Sequence, residues 1–291
     1  MSKKKSVADK NNNEQKHEIR AGQSEELLKE LHILTREGKL NQDSRRKLKQ
    51  IYHLYQFIQP LLEKIVANNS SLTLVDHGAG KSYLGFILYD LFFKNLEIPA
   101  QIYGIETRSE LVDRSQQLAA KLGFKNMSFV NLTVEESITS AQLTDQIDIV
   151  TALHAYNTAT DDAISFALSK QVPHIVLIPC CQAEVAAILK KNRSKIAETN
   201  VLSEIWRHPI HVREFGSHIT NVLRCLQLEA NGYQVTATEL IGWEHSMKNE
   251  LIIATKQRAN NPKARQRLEN LLKELRLEEL AFRFLATPTL L

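Results

Sequence analysis

Apolar side chains recur along this 291-residue chain in two rhythms, and the change from one to the other organises it. Over residues 24–39, Leu27, Leu28, Leu31, Ile33 and Leu34 return at roughly helical spacing. Over residues 41–66, Leu48, Ile51, Tyr52, Tyr55, Ile58, Leu61, Leu62 and Ile65 mark one side of a longer helix. Pro60 lies inside that pattern and is expected to kink or divide it. From residue 72 the rhythm shortens. Strands at 72–76, 101–106, 127–132, 147–154 and 174–179 are expected to alternate with helices at 81–93, 109–122, near Thr133, and at 161–169. Gly123 closes the second of these helices, and Pro173 breaks the chain before the fifth strand. Such alternation predicts a mostly parallel sheet covered on both faces by helices. The nearly unbroken apolar runs at 147–153 and 175–178 suit strands buried on both sides.

Beyond Pro179 the texture changes. Helices are expected at 184–197, 215–230 and from Ala264 to about Leu280, with Asn231-Gly232 ending the second. His208 and His211 lie in the stretch between the first two, with His218 just beyond it. Two β runs, 233–241 and 250–255, have no helix between them and should pair antiparallel. The expected architecture is therefore α/β and Rossmann-like: mostly parallel, with an antiparallel last strand and helices ahead of the sheet. The expected divisions are a polar tail at 1–22, a helical segment at 23–68, the main domain at 69–257, and a C-terminal helix and tail at 258–291. The tail has almost no apolar side chain to offset its ordering entropy, so it is expected to be disordered.

Composition narrows the class. With 43% hydrophobic residues the chain can bury a large core. Three Cys and no secretory pattern point to a reducing compartment, with the cytoplasm as the expected location. No apolar run is long enough to cross a bilayer, so no membrane partner is expected. A net charge of +4 and a pI near 8.8 permit a nucleic-acid partner without demanding one. Lys3, Lys4 and Lys5, and the basic start of the long helix (Arg45, Arg46, Lys47 and Lys49), are either RNA contacts or solvated faces.

The candidate chemistry lies at residues 72–84. A β run ends on Asp76, the bend Gly78-Ala79-Gly80 follows, and a helix comes after. A nucleoside-triphosphate loop would need a glycine at position 75, which is Val75. The alternative is an adenosine-type site, because the next strand ends in Glu106, a carboxylate able to take both hydroxyls of a ribose. Tyr83 stands where a dinucleotide fingerprint needs its third glycine, which leaves S-adenosylmethionine, a cofactor without phosphate, as the better fit. On this view Lys81-Ser82 forms the first turn of the helix.

Four segments then carry a resemblance: Asp76-His-Gly-Ala-Gly-Lys-Ser-Tyr-Leu84, Leu153-His-Ala-Tyr-Asn-Thr-Ala-Thr-Asp161, Pro179-Cys-Cys-Gln182 and His245-Ser-Met-Lys-Asn249. Over residues 45–256 the chain resembles the class I S-adenosylmethionine-dependent methyltransferases. It is similar to the branch related to the tRNA 2′-O-methyltransferases and to proteins with a glutathione-transferase-like C-terminal domain. The resemblance implies cofactor contacts from Asp76, His77, Gly78, Ala79, Gly80, Glu106 and Leu153. It places His154 beside the transferred methyl group and Cys180-Cys181 on the same sheet edge. Tyr156-Asn157 stands where relatives usually carry Cys and then Asp or Gly, which removes a possible acid at that position. Gln182, in place of the His of the tRNA enzymes, argues against carrying their substrate across.

Each site residue has a plainer reading. His154 is a candidate base or a loop-orienting hydrogen-bond partner. Cys181 is a candidate nucleophile or a small packed residue. Asp161 caps a helix or touches substrate. Lys248-Asn249 supports the substrate pocket or shapes a turn. Adjacent cysteines lack the spacing of a zinc site even with His174 and His208 nearby, and no metal is expected. The sequence points to methyl transfer, with RNA (tRNA or rRNA) as the expected substrate. Protein or small-molecule methylation, or cofactor binding without catalysis, remain the alternatives. Oligomeric state is left open.

Overall fold

A computed structural model describes residues 19–153, 158–179, 183–192, 201–240 and 250–285. Strands β1 (Leu72–His77), β2 (Ala100–Ile105), β3 (Met127–Val130), β4 (Ile149–Leu153), β5 (His174–Ile178), β6 (Tyr233–Glu239) and β7 (Glu250–Lys256) form one sheet. Its order is β3-β2-β1-β4-β5-β7-β6. The first five run parallel, and β7 inserts antiparallel between β5 and β6. The strand order reverses between β1 and β4. There the crossovers leave in opposite directions and open a crevice at the strands' C-terminal ends.

Alternation along β1 assigns its side chains to two cores. Leu72 and Leu74 join one face, where α2 (Gln42–Asn68), α3 (Tyr83–Leu91) and α4 (Ser109–Leu122) pack. Val75 joins the other, under α6 (Ala159–Ser169). A satellite core gathers α7 (Glu184–Lys191), α8 (Pro209–Ala230) and α9 (Pro262–Glu274). The helix ends follow local chemistry. Asn41 caps α2 by accepting the Ser44 N–H at 2.8 Å. Thr133 and Glu136 form a reciprocal capping box on α5 (Val134–Thr139). Gly123 ends α4 at φ 69°.

Several boundaries differ from expectation. The first helix, α1, is only Glu25–Glu30. The N–H groups of Ile33 and Leu34 turn back onto the Leu28 carbonyl, so Leu31, Ile33 and Leu34 are buried from a turn rather than a helix. Pro60 does not divide α2, which runs through it. Buried Ile58 and Leu62 on either side hold the helix against the core despite the missing N–H. The third helix begins at Tyr83, not Lys81. Its cap Ser82 sits in the left-handed region at φ 49°, so Lys81 and Ser82 belong to the bend. The charged C-terminal helix stops at Glu274. Residues 1–18, and positions 193–197 of the expected seventh helix, lie outside the described residues.

The largest departure is electrostatic. Arg224 on α8 is completely buried and donates from Nε to Asp161 Oδ1 at 2.6 Å. Arg224 also reaches Asn221, which in turn donates to Glu250 at the start of β7. Asp161 therefore caps nothing. It lies in the first turn of α6 and ties that helix to α8, with Arg283 3.6 Å away. Removing one partner of a buried pair strands the other charge, which typically costs about 3–5 kcal/mol. Arg224→Met is accordingly expected to lower the unfolding free energy by about that much in urea denaturation. The double variant Arg224→Met/Asp161→Asn should recover a measurable part. A loss below about 1 kcal/mol would mean the pair contributes nothing beyond packing.

Candidate functional site

The β1 turn shows how the site is built. Gly78 and Gly80 both take positive φ (66° and 57°), which a side chain would resist. The Ala79 N–H donates to the Ile105 carbonyl at 2.9 Å, and the Ser82 N–H to the Ala79 carbonyl at 2.7 Å. The bend is thereby fastened to the end of β2. Gly104, opposite Asp76 in the ladder, leaves room for Phe129 of β3: a Cβ there would sit 2.6 Å from its ring.

Around the bend a cavity of about 470 Å³ opens at the reversal of strand order. All seven residues expected to contact a cofactor line it: Asp76, His77, Gly78, Ala79, Gly80, Glu106 and Leu153. Three acids and an imidazole set its chemistry. Asp76 is buried and accepts from Thr151 Oγ1 at 2.8 Å and from Ser82 Oγ at 3.4 Å. Burial pushes its pKa up to about 6 against the pull of those hydroxyls. His77 is 4% exposed, and neither ring nitrogen has a hydrogen-bond partner. Burial lowers its pKa to about 4, so it stays neutral, with Glu106 pulling weakly the other way. Its ring packs against Phe166 of α6 at 5.5 Å. One turn earlier on the same helix, Asp162 also lines the cavity. Burial, then the neighbouring Asp161, raise its pKa to about 6.

Glu106 is held more tightly than the sequence suggested. Its Oε2 accepts the Gly80 N–H at 2.8 Å, and its Oε1 the Arg108 N–H at 3.1 Å. The Arg108 guanidinium adds Nε at 3.0 Å and a second nitrogen at 3.2 Å. Burial alone would raise this carboxyl; the hydrogen bonds from Arg108 and Gly80 outweigh it and hold Glu106 below the usual range.

Sequence reasoning missed Arg108 and Asp162. A polar residue two positions past a strand-end acid was the available signal for Arg108. Asp162 was overshadowed by its neighbour Asp161, which faces away into the Arg224 pair. His154, Tyr156, Asn157, Cys180, Cys181, Gln182 and residues 241–249 (with Lys248 and Asn249) lie outside the described residues. His174 opens β5 and contacts Thr255 Oγ1 at 3.2 Å, at the far end of the strand from position 180. Among the described residues no three His, Cys, Asp or Glu gather into a metal-binding group, and no helix is long and apolar enough to cross a membrane.

Residues 46–188 match the family model described as a methyltransferase domain. These residues carry a methyltransferase domain. A curated relative, the glutathione S-transferase C-terminal domain-containing protein homolog of Drosophila pseudoobscura pseudoobscura, is 25% identical over 202 residues. That alignment covers 62% of this chain and 32% of the relative, so the chain spans about a third of that protein's length. Among solved structures, magnesium protoporphyrin IX methyltransferase from Synechocystis PCC 6803 with bound SAH is 17% identical, with a TM-score of 0.42. It covers 75% of this chain and 89% of its own. An rRNA methylase from Streptococcus thermophilus is 9% identical with a TM-score of 0.40, covering 69% of this chain and 95% of its own.

S-adenosylmethionine is the cofactor expected from the sequence, and the cavity suits it. The imidazole of His77 has two buried, unpaired nitrogens, an arrangement that is costly unless a ligand meets them. The glycine bend offers backbone at close approach. Glu106 is a charged acceptor on the crevice wall.

The two titrating groups at the end of β1 pull stability in opposite directions. Asp76 is raised from 3.8 to about 6, so the native state binds the extra proton and this term loses stability as pH rises from about 4 to 6. His77 is lowered from 6.5 to about 4. There the unfolded state binds more protons, and stability rises over nearly the same window. The contributions therefore largely cancel in the parent. Asp162, also raised to about 6, adds a falling contribution to parent and variants alike. His77→Gln is therefore expected to make stability fall more steeply from pH 4 to 6 than in the parent, and Asp76→Asn to make it fall less steeply. Urea denaturation at half-unit pH steps reads both slopes, and identical slopes in the three proteins would contradict these burial effects.

Proposed function

We propose that this methyltransferase transfers the methyl group of S-adenosylmethionine to RNA. The observation that carries the cofactor half is the meeting of the Gly78–Gly80 bend, the unpaired His77 imidazole and Glu106 in one crevice. When bound, the cofactor supplies an electrophilic methyl on a sulfonium. Glu106 takes the ribose hydroxyls in exchange for the Arg108 guanidinium, and the backbone N–H groups of Gly80 and Arg108 keep its charge in place. Asp76, His77 and the bend face the methionine end.

The protein's remaining tasks are to place a nucleophile in line and, for a hydroxyl, to take its proton. His154 follows Leu153 directly and is our first candidate for that base, with Asp162 on the cavity wall as the second. Cys181 would act only if the acceptor were a ring carbon. For RNA as the acceptor, the support is the overall basic charge, the similarity to tRNA 2′-O-methyltransferases in the segments at 153–161 and 179–182, and exposed Arg46, Lys47 and Lys49 at the start of α2. Incubation with labelled cofactor and total RNA is the deciding experiment. Label in RNA is expected; label only in protein or in small metabolites would replace RNA by that class.

The cofactor contacts are tested separately by calorimetry with S-adenosylmethionine. Glu106→Ala should weaken binding by roughly 1–3 kcal/mol. Arg108→Ala, which frees the carboxylate, should tighten it by less than about 1 kcal/mol, since the guanidinium is mostly exposed. Equal affinity in Glu106→Ala and parent would remove the ribose from this position. His154→Ala should lower kcat at least about tenfold without changing cofactor affinity.

A further inference from the structure

The cofactor cavity does not end at its own rim. Lys81 and Tyr83 also wall a second cavity of about 360 Å³, between α4 and the turn that follows α1. Its α4 side is a single helix face: Leu111, Arg114, Leu118 and Lys121 recur at three- and four-residue spacing. Glu30, His32 and Lys121 are shared in turn with a third cavity of about 590 Å³. That cavity passes Lys29 and Arg36 and reaches Asn41, the cap of α2. The three share walls end to end. Together they form a groove from the cofactor to the helix start that carries exposed Arg46, Lys47 and Lys49.

The charge of this groove is unbalanced. Its acids Glu26 and Glu30 are both engaged by Lys121, at 3.6 and 2.5 Å. Lys29, Arg36, Lys81 and Arg114 make no side-chain hydrogen bond or ion pair among the described residues, and three of them are exposed. Arg114 and Lys121, seven residues apart, stand about 10 Å apart along the helix axis, so the cations form a row instead of a cluster. Cations spread along a groove suit an extended polyanion whose charges repeat. Half-buried Tyr83, at the junction with the cofactor cavity, adds an aromatic ring on which a base can stack. An acidic peptide would use the cations but not the ring.

We propose that this groove binds a single strand of the substrate RNA by its phosphates and leads it to the cofactor cavity, with Tyr83 at the entrance. The proposal rests on the RNA reading above. Its test uses the full chain, a labelled single-stranded RNA of mixed sequence, and fluorescence anisotropy over a series of salt concentrations. Arg36→Glu/Arg114→Glu changes two groove cations outside the cofactor cavity. This variant should lose roughly tenfold or more in RNA affinity, and its log–log salt slope should fall by about 0.7 for each lost phosphate contact. Calorimetry should find its S-adenosylmethionine affinity unchanged, which also shows that the variant is folded. Arg36→Lys/Arg114→Lys should keep the parent slope. If the parent binds RNA and the reversed-charge variant binds it equally, with the same slope, the groove assignment is overturned and the RNA reading stands. If the parent binds no RNA, the RNA reading fails and the groove falls with it. Equal competition by polyglutamate would replace RNA by an acidic protein as the occupant.

Discussion

The site depends on one carboxyl that has been taken out of water. Asp76 lies at the seam between the two halves of the sheet, with Gly104 beside it on β2 and Thr151 on β4. A buried carboxyl has to be satisfied by its neighbours or protonated. Here Thr151 supplies one hydroxyl from the adjacent strand. The other comes from Ser82, which reaches back across the glycine bend. Satisfying Asp76 therefore links β4 and the head of α3 to β1. It also accounts for Ser82 lying in the left-handed region: the residue is at once cap and hydrogen-bond donor. A helix beginning at Lys81 would carry that hydroxyl elsewhere.

The neighbouring imidazole follows from the same strand geometry. Successive side chains on β1 point to opposite faces, so Asp76 faces α3 while His77 faces α6 and Phe166. One face is internally satisfied and the other is not. The structure thus separates two roles that the sequence left merged in a five-residue motif: Asp76 fixes the bend, and His77 offers unpaired nitrogens to whatever enters the crevice. The third polar group, Glu106, is preorganised by backbone N–H groups that cost no side-chain entropy at the moment of binding. Its Arg108 partner is exposed enough to exchange.

Most of the sheet was legible because its determinants are local. Apolar runs of four to six residues, Gly123 after α4, Thr133 with Glu136 three residues on, and two β runs without an intervening helix each specify a structure over a few positions. The seven cavity residues were legible for a related reason: strand ends at a reversal of strand order must meet. What failed was long-range or depended on competition between local signals. Leu31, Ile33 and Leu34 satisfy a helical pattern and a compact turn equally well, and only the packing against α2 and the sheet decides between them. Arg224 is invisible as a core residue because its partner, Asp161, is 63 positions away. The same distance made Asp161 look like a cap when Asp162 was the acid facing the cavity.

The cavity is assembled from one continuous stretch, β1 through the first turn of α6. The Arg224 pair joins the first turn of α6 to α8, and through Asn221 to the head of β7, where Glu250 begins the last strand. Asp161 ends one of the segments that carry the methyltransferase resemblance, and Glu250 directly follows another. A buried ion pair is a poor way to gain stability compared with apolar packing. It does fix relative orientation, because a guanidinium bonds well only along its fork. The Arg224 pair therefore fixes how α6, α8 and the head of β7 are oriented to one another.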